Sequence, residues 1–310
     1  MPTSLPRSSW DVVLAQARSV LGTYSSDACR IFHGRGGCFS GFEHLAIDWL
    51  SPVLLITLYA PVDPEDLVWL ADQLRSETPC SCVLVQRRHE PKAPWHVLWG
   101  TPPVAPTCQE NGLRYQLLFQ RNQNTGFFLD MRCGRDLVRR LAPERRVLNL
   151  FAYTCSFSVA AIAGGAKSVV NIDMSSAALS VGRENHRLNE QDLSSVRFLA
   201  HDIKKTYGKI KRMAPFDLIV IDPPTDQGRS FRVRDDYARI VRRLEDWCAP
   251  GARIVACLNA PELPGTFLEE IFATEAPSLQ LLDSVAAPAE FTEAQTEGAL
   301  KIRVYRFAVQ

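Results

Sequence analysis

Alternation of apolar strands with amphipathic helices is the feature of this sequence that most constrains its fold. From Arg145 onward, β-rich segments such as RVLNLF (146–151) and SVVNID (168–173) are separated by helical segments such as SSAALSVGRENHRLN (175–189). This order is typical of βαβ units and predicts a Rossmann-like α/β sheet. Seven strands are visible, and a hairpin-like segment joins the last two, whereas a dinucleotide-binding sheet normally has six parallel strands.

The first hundred residues predict a smaller α+β domain. Two β-rich segments, SPVLLITLYA (51–60) and CSCVLVQRR (80–88), flank PEDLVWLADQLRSE (64–77), which has helical spacing of its leucines. The proline-rich segment GTPPVAPT (100–107) then indicates a linker. We therefore predict an N-terminal domain at 1–103 and a larger domain at 104–310, which opens with a hairpin turning at Asn111-Gly112.

Composition excludes several classes of protein. No apolar run approaches the roughly 18 residues that span a bilayer, and MPTSLPRSSW at the N-terminus lacks the apolar core of a secretory signal. The nine cysteines are scattered without a C-x-x-C pair, which disfavours a disulfide framework or a zinc site. We expect a cytoplasmic protein with no membrane partner and no metal, and the sequence leaves its oligomeric state open.

Charge is unevenly distributed along the chain. The formal net charge is only +1, but the segment from His201 to Arg243 has eleven Lys or Arg and six acids. The segment from Pro261 to Leu300 has eight acids and no Lys or Arg. This asymmetry predicts one basic face suited to a nucleic acid, although such stretches are also common on solvated helices.

Acidic residues follow three of the predicted strands. Asp173 ends the second strand, Asp202 follows the third, and Asp222 ends the fourth. In an open α/β sheet, ligands bind outside the carboxyl ends of the strands. An acid in the position of Asp173 can accept both hydroxyls of a ribose, or it can simply cap the next helix.

The loop after the first strand distinguishes between adenosine-containing cofactors. Residues 151–156 read FAYTCS and contain no glycine. A dinucleotide needs a glycine-rich turn so that the backbone can approach its pyrophosphate, whereas S-adenosylmethionine has no phosphate. The loop therefore disfavours NAD and favours S-adenosylmethionine.

The most specific motif is Asp222-Pro223-Pro224, directly after the apolar strand FDLIVI. Two prolines remove backbone donors and stiffen the turn. The carbonyls and the carboxylate that remain can accept hydrogen bonds from an amino group on a planar base. The tripeptide also occurs in plain loops, so its position at a strand end is what makes it informative.

Together these motifs resemble the bacterial methyltransferases of large-subunit ribosomal RNA that make 5-methylcytosine or 7-methylguanine. The resemblance rests on NTGFFLDMR (124–132), VLNLFAYTCSFSVAAIAGGAKSVVNIDMS (147–175), RENHRLN, LAHDI and IVIDPPT, which follow in the family order. Even RIFHGRGGCFSGFEHLAIDWL (30–50) is similar to the linker domain of these enzymes. One departure is Cys155-Ser156, which stands where the family has Gly-Gly.

The resemblance implies a role for each matching residue. The cofactor, S-adenosyl-L-methionine, would be bound by Phe128, Arg132, Asn149, Phe151, Tyr153, Thr154, Cys155, Ser156, Asp173, Met174, Asp202 and Ile203. The target base would face Asp222, Pro223 and Pro224. The basic segment would contact RNA through Lys204, Arg229, Phe231 and Arg232.

Methylation of cytosine at carbon 5 requires a thiolate that adds to the ring. Cys257, near the end of the fifth strand, lies where cytosine-specific relatives have T-C-S-C, and we predict it as a catalytic candidate. The alternative is a buried strand cysteine, because Ala256 and Leu258-Asn259 replace the polar flanking residues. In that case a ring nitrogen or an amino group of guanine is the better target.

The expected function is methylation of a base in ribosomal RNA, and hence ribosomal RNA processing. Two alternatives stay open: a methyltransferase that acts on a protein or a small molecule, and a catalytically inactive RNA-binding relative, which the Cys155-Ser156 departure favours. An NAD-dependent oxidoreductase is a more distant alternative, because the loop after the first strand (151–156) has no glycine.

Overall fold

A computed structural model describes residues 6–23, 26–120, 123–227 and 231–308 of the chain. The chain forms two compact units, Met1–Leu129 with Pro288–Gln295, and Asp130–Ala287 with Thr296–Gln310. This division differs from the predicted boundary at 103/104. The physical reason is the predicted hairpin, whose backbone is bonded into the first unit: the amide of Ala28 donates to the carbonyl of Gln109 over 2.7 Å.

The first unit has a five-stranded sheet with two helices. The elements are α1 (Asp11–Thr23), β1 (Cys29–His33), β2 (Leu45–Leu50), β3 (Val53–Leu58), α2 (Pro64–Glu77), β4 (Cys82–Arg87) and β5 (Trp95–Gly100), followed by the hairpin β6 (Thr107–Glu110) and β7 (Leu113–Gln116). The sheet order is β1-β2-β3-β4-β5. α2 forms as predicted, because Asp63 caps its first turn, Pro64 sits at its N-terminal end, and Leu67, Leu70 and Leu74 are buried.

The second unit has a seven-stranded sheet, as predicted. In chain order, its first elements are α3 (Arg132–Leu141), β8 (Arg146–Leu150), α4 (Ser156–Ala163), β9 (Ser168–Asp173), α5 (Ser176–Leu188), β10 (Val196–Ala200) and α6 (Tyr207–Met213). Those that follow are β11 (Phe216–Ile221), β12 (Asp226–Gln227), β13 (Phe231–Arg232), α7 (Val233–Val241), β14 (Cys248–Leu258), α8 (Phe267–Glu275), β15 (Leu279–Val285) and β16 (Lys301–Phe307).

The strand order of this sheet is β10-β9-β8-β11-β14-β16-β15. All neighbours are parallel except β16, which is antiparallel to both β14 and β15. β8 and β11 are adjacent, so the chain order reverses between them. In open α/β sheets this is the position at which ligands bind, outside the carboxyl ends of the strands. The predicted acids of β9, β10 and β11 all lie at this edge.

Candidate active site

The loop that follows β8 has an unusual backbone. Phe151, Tyr153 and Cys155 have positive φ angles of 57°, 46° and 62°, in the left-handed region that favours glycine. Such a residue costs on the order of 1–3 kcal/mol and persists only where its surroundings fix it. Cys155 thus takes a glycine-like conformation at one of the two positions where the family has glycine.

Hydrogen bonds from the neighbouring elements fix this loop. Asp173 accepts the amide of Tyr153 through Oδ2 over 2.8 Å, and the amide of Ser175 through Oδ1 over 2.8 Å. The side-chain amide of Asn185, in α5, donates to the carbonyl of Thr154 over 2.9 Å. The loop is therefore tied both to the end of β9 and to α5.

The side chain of Cys155 fits against a glycine of α5. Cys155 is fully buried, and a Cβ placed on Gly182 would lie only 2.4 Å from its sulfur. Burial raises the pKa of the Cys155 thiol, so the group is neutral and acts as a packing group. The loop has no glycine, so it has to accommodate the side chain of Cys155. The missing side chain of Gly182 leaves the room for it.

Asp173 keeps acceptor capacity for a ligand. A carboxylate offers about four acceptor positions, and the two backbone amides occupy one on each oxygen. The residue is partly buried at the strand end, so the remaining positions suit the two hydroxyls of a ribose. Asp202 is similar in kind: it caps the turn after β10 by accepting the amide of Lys204 over 3.0 Å.

Asp222 lies in a different electrostatic environment at the end of β11. Burial raises its pKa from 3.8 to about 7, the Asp130 carboxylate adds to the increase, and the Arg135 guanidinium opposes it. Pro223 is buried, and the hydroxyl of Thr225 donates to the carbonyl of Asn259, which joins this turn to the end of β14. Asp222 is therefore a carboxyl that can gain or lose a proton near neutral pH.

Cys257 lies in the core, which corrects its prediction as a catalytic residue. Its side chain has no exposed surface, and its carbonyl accepts the Tyr237 hydroxyl over 3.1 Å. Burial, together with the carboxylates of Asp222 and Asp130, raises the pKa of the thiol well above 9. A neutral thiol packed among apolar side chains is not a nucleophile.

Three further predicted residues have side chains that pack inside the second unit. Asn149 is buried, and its amide donates to Asn171 over 2.9 Å within the core. Ile203 belongs to the apolar cluster of the second unit. Phe231 is 3% exposed and packs edge-to-face on Phe151, with ring centroids 5.0 Å apart, so it does not present its ring to a base.

The basic residues predicted to contact a substrate differ in their surroundings. Lys204 forms an ion pair with Asp236 over 3.1 Å, and Asp236 also accepts the amide of Arg232 over 2.9 Å. Burial alone would raise the pKa of Asp236, but the Arg232 amide, Lys204 and Arg239 lower it. The side chain of Arg232 is exposed, and Arg229 lies outside the described residues.

The remaining predicted residues lie at the ends of elements. Arg132 is buried at the start of α3, Ser156 begins α4, and Met174 is 49% exposed after β9. Phe128 belongs to the first unit and is 43% exposed.

Several residues of the site were not singled out by the sequence. They are Asp130, Arg135, Gly182, Asn185 and Asn259. Asp130 and Asn185 carried a usable signal, because they belong to the NTGFFLDMR and RENHRLN motifs.

Two features are absent from the residues that the structure describes. None of the helices there is long and apolar enough to cross a membrane. No group of three or more His, Cys, Asp or Glu within the described ranges is arranged to hold a metal ion.

Comparison with known proteins gives consistent matches. The sequence model of the S-adenosylmethionine-dependent methyltransferase family matches residues 29–306. Ribosomal RNA large subunit methyltransferase I of Aeromonas salmonicida is 38% identical over 146 residues, which are 46% of this chain and 37% of that protein. The enzyme of the same name from Tolumonas auensis is 42% identical over 125 residues, or 40% and 32% of the two chains. The alignments thus span about a third of the relatives' length.

Solved structures show the same fold. A structure described as a methyltransferase complexed with SAH superposes with a TM-score of 0.87 at 22% identity, and the match covers 99% of this chain and 83% of that one. A structure described as a SAM-dependent methyltransferase from Streptococcus mutans gives the same values. The tRNA m1G37 methyltransferase of M. jannaschii gives a TM-score of 0.61 at 14% identity, with coverage of 95% and 78%.

Proposed function

Because the chain belongs to the S-adenosylmethionine-dependent methyltransferase family, we propose that it methylates a guanine nitrogen in large-subunit ribosomal RNA. The observation that carries the choice of atom is the contrast between two groups at the ends of β11 and β14. Asp222 has a pKa of about 7, whereas the Cys257 thiol is buried and neutral. The first group suits proton transfer, and the second does not suit addition to a cytosine ring.

The residues after β8, β9 and β10 fit the cofactor. Asp173 has acceptor positions left for the ribose hydroxyls, and the fixed loop at Tyr153 and Thr154 would bind the methionine end. Asp202 would lie at the adenine side, with its carboxylate anchored by the Lys204 amide. When bound, the cofactor supplies a methyl group on a positively charged sulfur, so direct displacement requires in-line positioning and exclusion of water.

The protein's own task at the base is to remove a proton. Methylation of the amino group or of the ring N–H of guanine would form one N–C bond and break two bonds: the methyl–sulfur bond of the cofactor, whose electron pair would stay on sulfur, and one N–H bond, whose proton has to be accepted. Guanine N7 carries no hydrogen, so the role described here applies to the N–H nitrogens of the base. The Asp222 carboxylate would accept that proton, and Pro223 and Pro224 would fix the turn from which the carboxylate acts. A base with a pKa near the working pH is well matched to this role, which typically contributes 10²–10⁴ in rate.

RNA as the substrate is supported by charge and by the names of the relatives. The segment from His201 to Arg243 is rich in Lys and Arg. Arg232, whose side chain is exposed, pairs through the β12–β13 ladder with Asp226, four residues after Asp222. Cationic side chains of this kind position a nucleic acid through its phosphates. The same proposal implies a cytoplasmic protein, because its substrate would be there.

Nucleoside analysis tests this proposal. Unmodified large-subunit ribosomal RNA transcript is incubated with the protein and isotopically labelled S-adenosylmethionine, digested to nucleosides and analysed by mass spectrometry. We expect labelled methylguanosine. Labelled 5-methylcytidine would contradict the choice of atom. In a second experiment, a cell extract treated with nuclease is incubated with the protein and the same labelled cofactor. Label that enters only the proteins of this extract, and not the transcript, would contradict RNA as the substrate.

A further inference from the structure

A cavity of about 370 Å³ lies beside the turn that follows β10, in the second unit. It is lined by His201, Lys205, Thr206, Gly208, Lys209 and Arg212. Three of these six residues are cationic, a fourth is histidine, and none is acidic. A concave surface with one sign of charge raises the local concentration of counter-ions of the opposite sign.

The fold fixes this cavity to the cofactor side of the sheet. The amide of His201 donates to the carbonyl of Asp173 over 2.9 Å, directly after β10 ends. Lys205 follows on the turn that Asp202 caps, and the hydroxyl of Thr206 donates to the carbonyl of Asp202 over 2.6 Å. The cavity is therefore built on the same strand ends as the candidate cofactor site.

A histidine orients one of the cationic groups. Nζ of Lys209 lies 2.9 Å from Nε2 of His201. An ammonium group has only donors, so this ring nitrogen must accept, and the contact leaves the charge of Lys209 in place. Lys209 is thus directed without being neutralised.

The cations of this segment divide into two groups. Lys204 is paired with Asp236 over 3.1 Å, and Lys211 is paired with Asp246 over 2.8 Å. Among the described residues, no carboxylate forms an ion pair with Lys205, Lys209 or Arg212. Within residues 201–212, the cations without an ion pair are therefore those that line the cavity.

We propose that this cavity binds a backbone phosphate of the substrate RNA. The inference rests on the proposed function and extends it to a second contact point. His201 and Asp222 follow strands that are three positions apart in the sheet, and at about 4.8 Å per position this separation is about 14 Å. The phosphate would therefore belong to a nucleotide other than the one that is methylated, and it would set the register of the RNA.

Two lysines of α6 provide a matched pair for the test. Lys209→Ala removes a cation that lines the cavity, and Lys211→Ala removes one that is paired outside it. Binding of unmodified large-subunit ribosomal RNA transcript is measured between about 50 and 200 mM KCl, a range over which phosphate contacts change affinity strongly. S-adenosylhomocysteine titrations and thermal unfolding are measured for the same variants, so that loss of fold is recognised.

We expect Lys209→Ala to lower the slope of log affinity against log salt by about 1, with about tenfold weaker binding at 0.1 M salt. A triple variant with Lys205→Ala and Arg212→Ala added should lose more, and Lys211→Ala should keep the wild-type slope. Two results would overturn the phosphate site while leaving the proposed function intact. One is the same slope of log affinity against log salt for Lys209→Ala and wild type. The other is an equal loss of RNA affinity in Lys209→Ala and Lys211→Ala. Absence of any RNA binding by the wild type would instead overturn the proposed function itself.

Discussion

Two carboxylates at the same edge of the sheet have opposite surroundings. Asp173 accepts two backbone amides, each over 2.8 Å, and its bonds stabilise a loop that contains three left-handed residues. Asp222 is half-buried, and no described residue donates a hydrogen bond to its carboxyl. Burial together with the Asp130 carboxylate raises its pKa to about 7. The comparison teaches that the binding side is built from satisfied polar groups, while the side proposed for chemistry keeps a carboxyl whose charge is disfavoured.

The largest effect is expected for Asp222→Asn. The amide keeps the shape of the side chain but cannot accept a proton, so the methylation rate should fall by about 10²–10⁴. Affinity for S-adenosylhomocysteine should stay within a few-fold of wild type. Single-turnover methylation and calorimetric titration measure the two quantities, and a variant that methylates at the wild-type rate would remove Asp222 from the chemistry.

The same substitution should make the protein more stable at alkaline pH. The unfolded carboxyl titrates near 3.8 and the folded one near 7, so the folded state binds more protons between these values, and stability falls as pH rises from about 4 to 7. Asp222→Asn removes this loss, which is worth at most about 4 kcal/mol above pH 7. Urea unfolding at pH 5 and pH 8 measures it, and an equal effect of the substitution at both values would contradict the raised pKa.

A smaller effect is expected for Asp173→Ala. Loss of the hydrogen bonds to a ribose, and of those that fix the loop, should weaken S-adenosylhomocysteine binding about 100-fold, since hydrogen bonds to a charged group contribute about 1.5–3 kcal/mol each. Asp192→Ala is a matched control, because Asp192 also accepts a following backbone amide, that of Ser194, but on an exposed turn. Similar losses in both variants would show a general effect of removing a capping aspartate.

Gly182→Ala tests the packing behind the loop. The new Cβ would lie 2.4 Å from the sulfur of Cys155 and 2.9 Å from its Cβ, so we expect a loss of about 1–3 kcal/mol in unfolding free energy. Cys155→Gly removes both contacting atoms and should recover most of that loss in the double variant. Additive effects in this cycle, measured by urea unfolding, would contradict the packing described for the loop.

The smallest effect on activity is expected for Cys257→Ala. The thiol is buried and neutral, so methylation should continue at the wild-type rate, while unfolding free energy falls by about 1 kcal/mol because a small cavity is left. Loss of methylation in a folded variant would restore the covalent cytosine route.

The sequence predicted the strand ends better than the direction of individual side chains. Asp173, Asp202 and Asp222 follow apolar strands, and the alternation of elements alone places them at one edge. Cys257 could not be oriented in this way, because β14 is buried on both faces and shows no polar alternation around that residue. The contact between Cys155 and Gly182 joins segments 27 residues apart, which no local pattern records.

The pH dependence of two quantities tests the difference between the two carboxylates most directly. Single-turnover methylation and S-adenosylhomocysteine affinity are measured on the wild-type protein from pH 5.5 to pH 8.5, at constant ionic strength. We predict that the rate rises with an apparent pKa of about 7, while the affinity stays level over the same range. A rate that does not change through pH 7, or an affinity that rises together with the rate, would contradict the division of roles between Asp222 and Asp173.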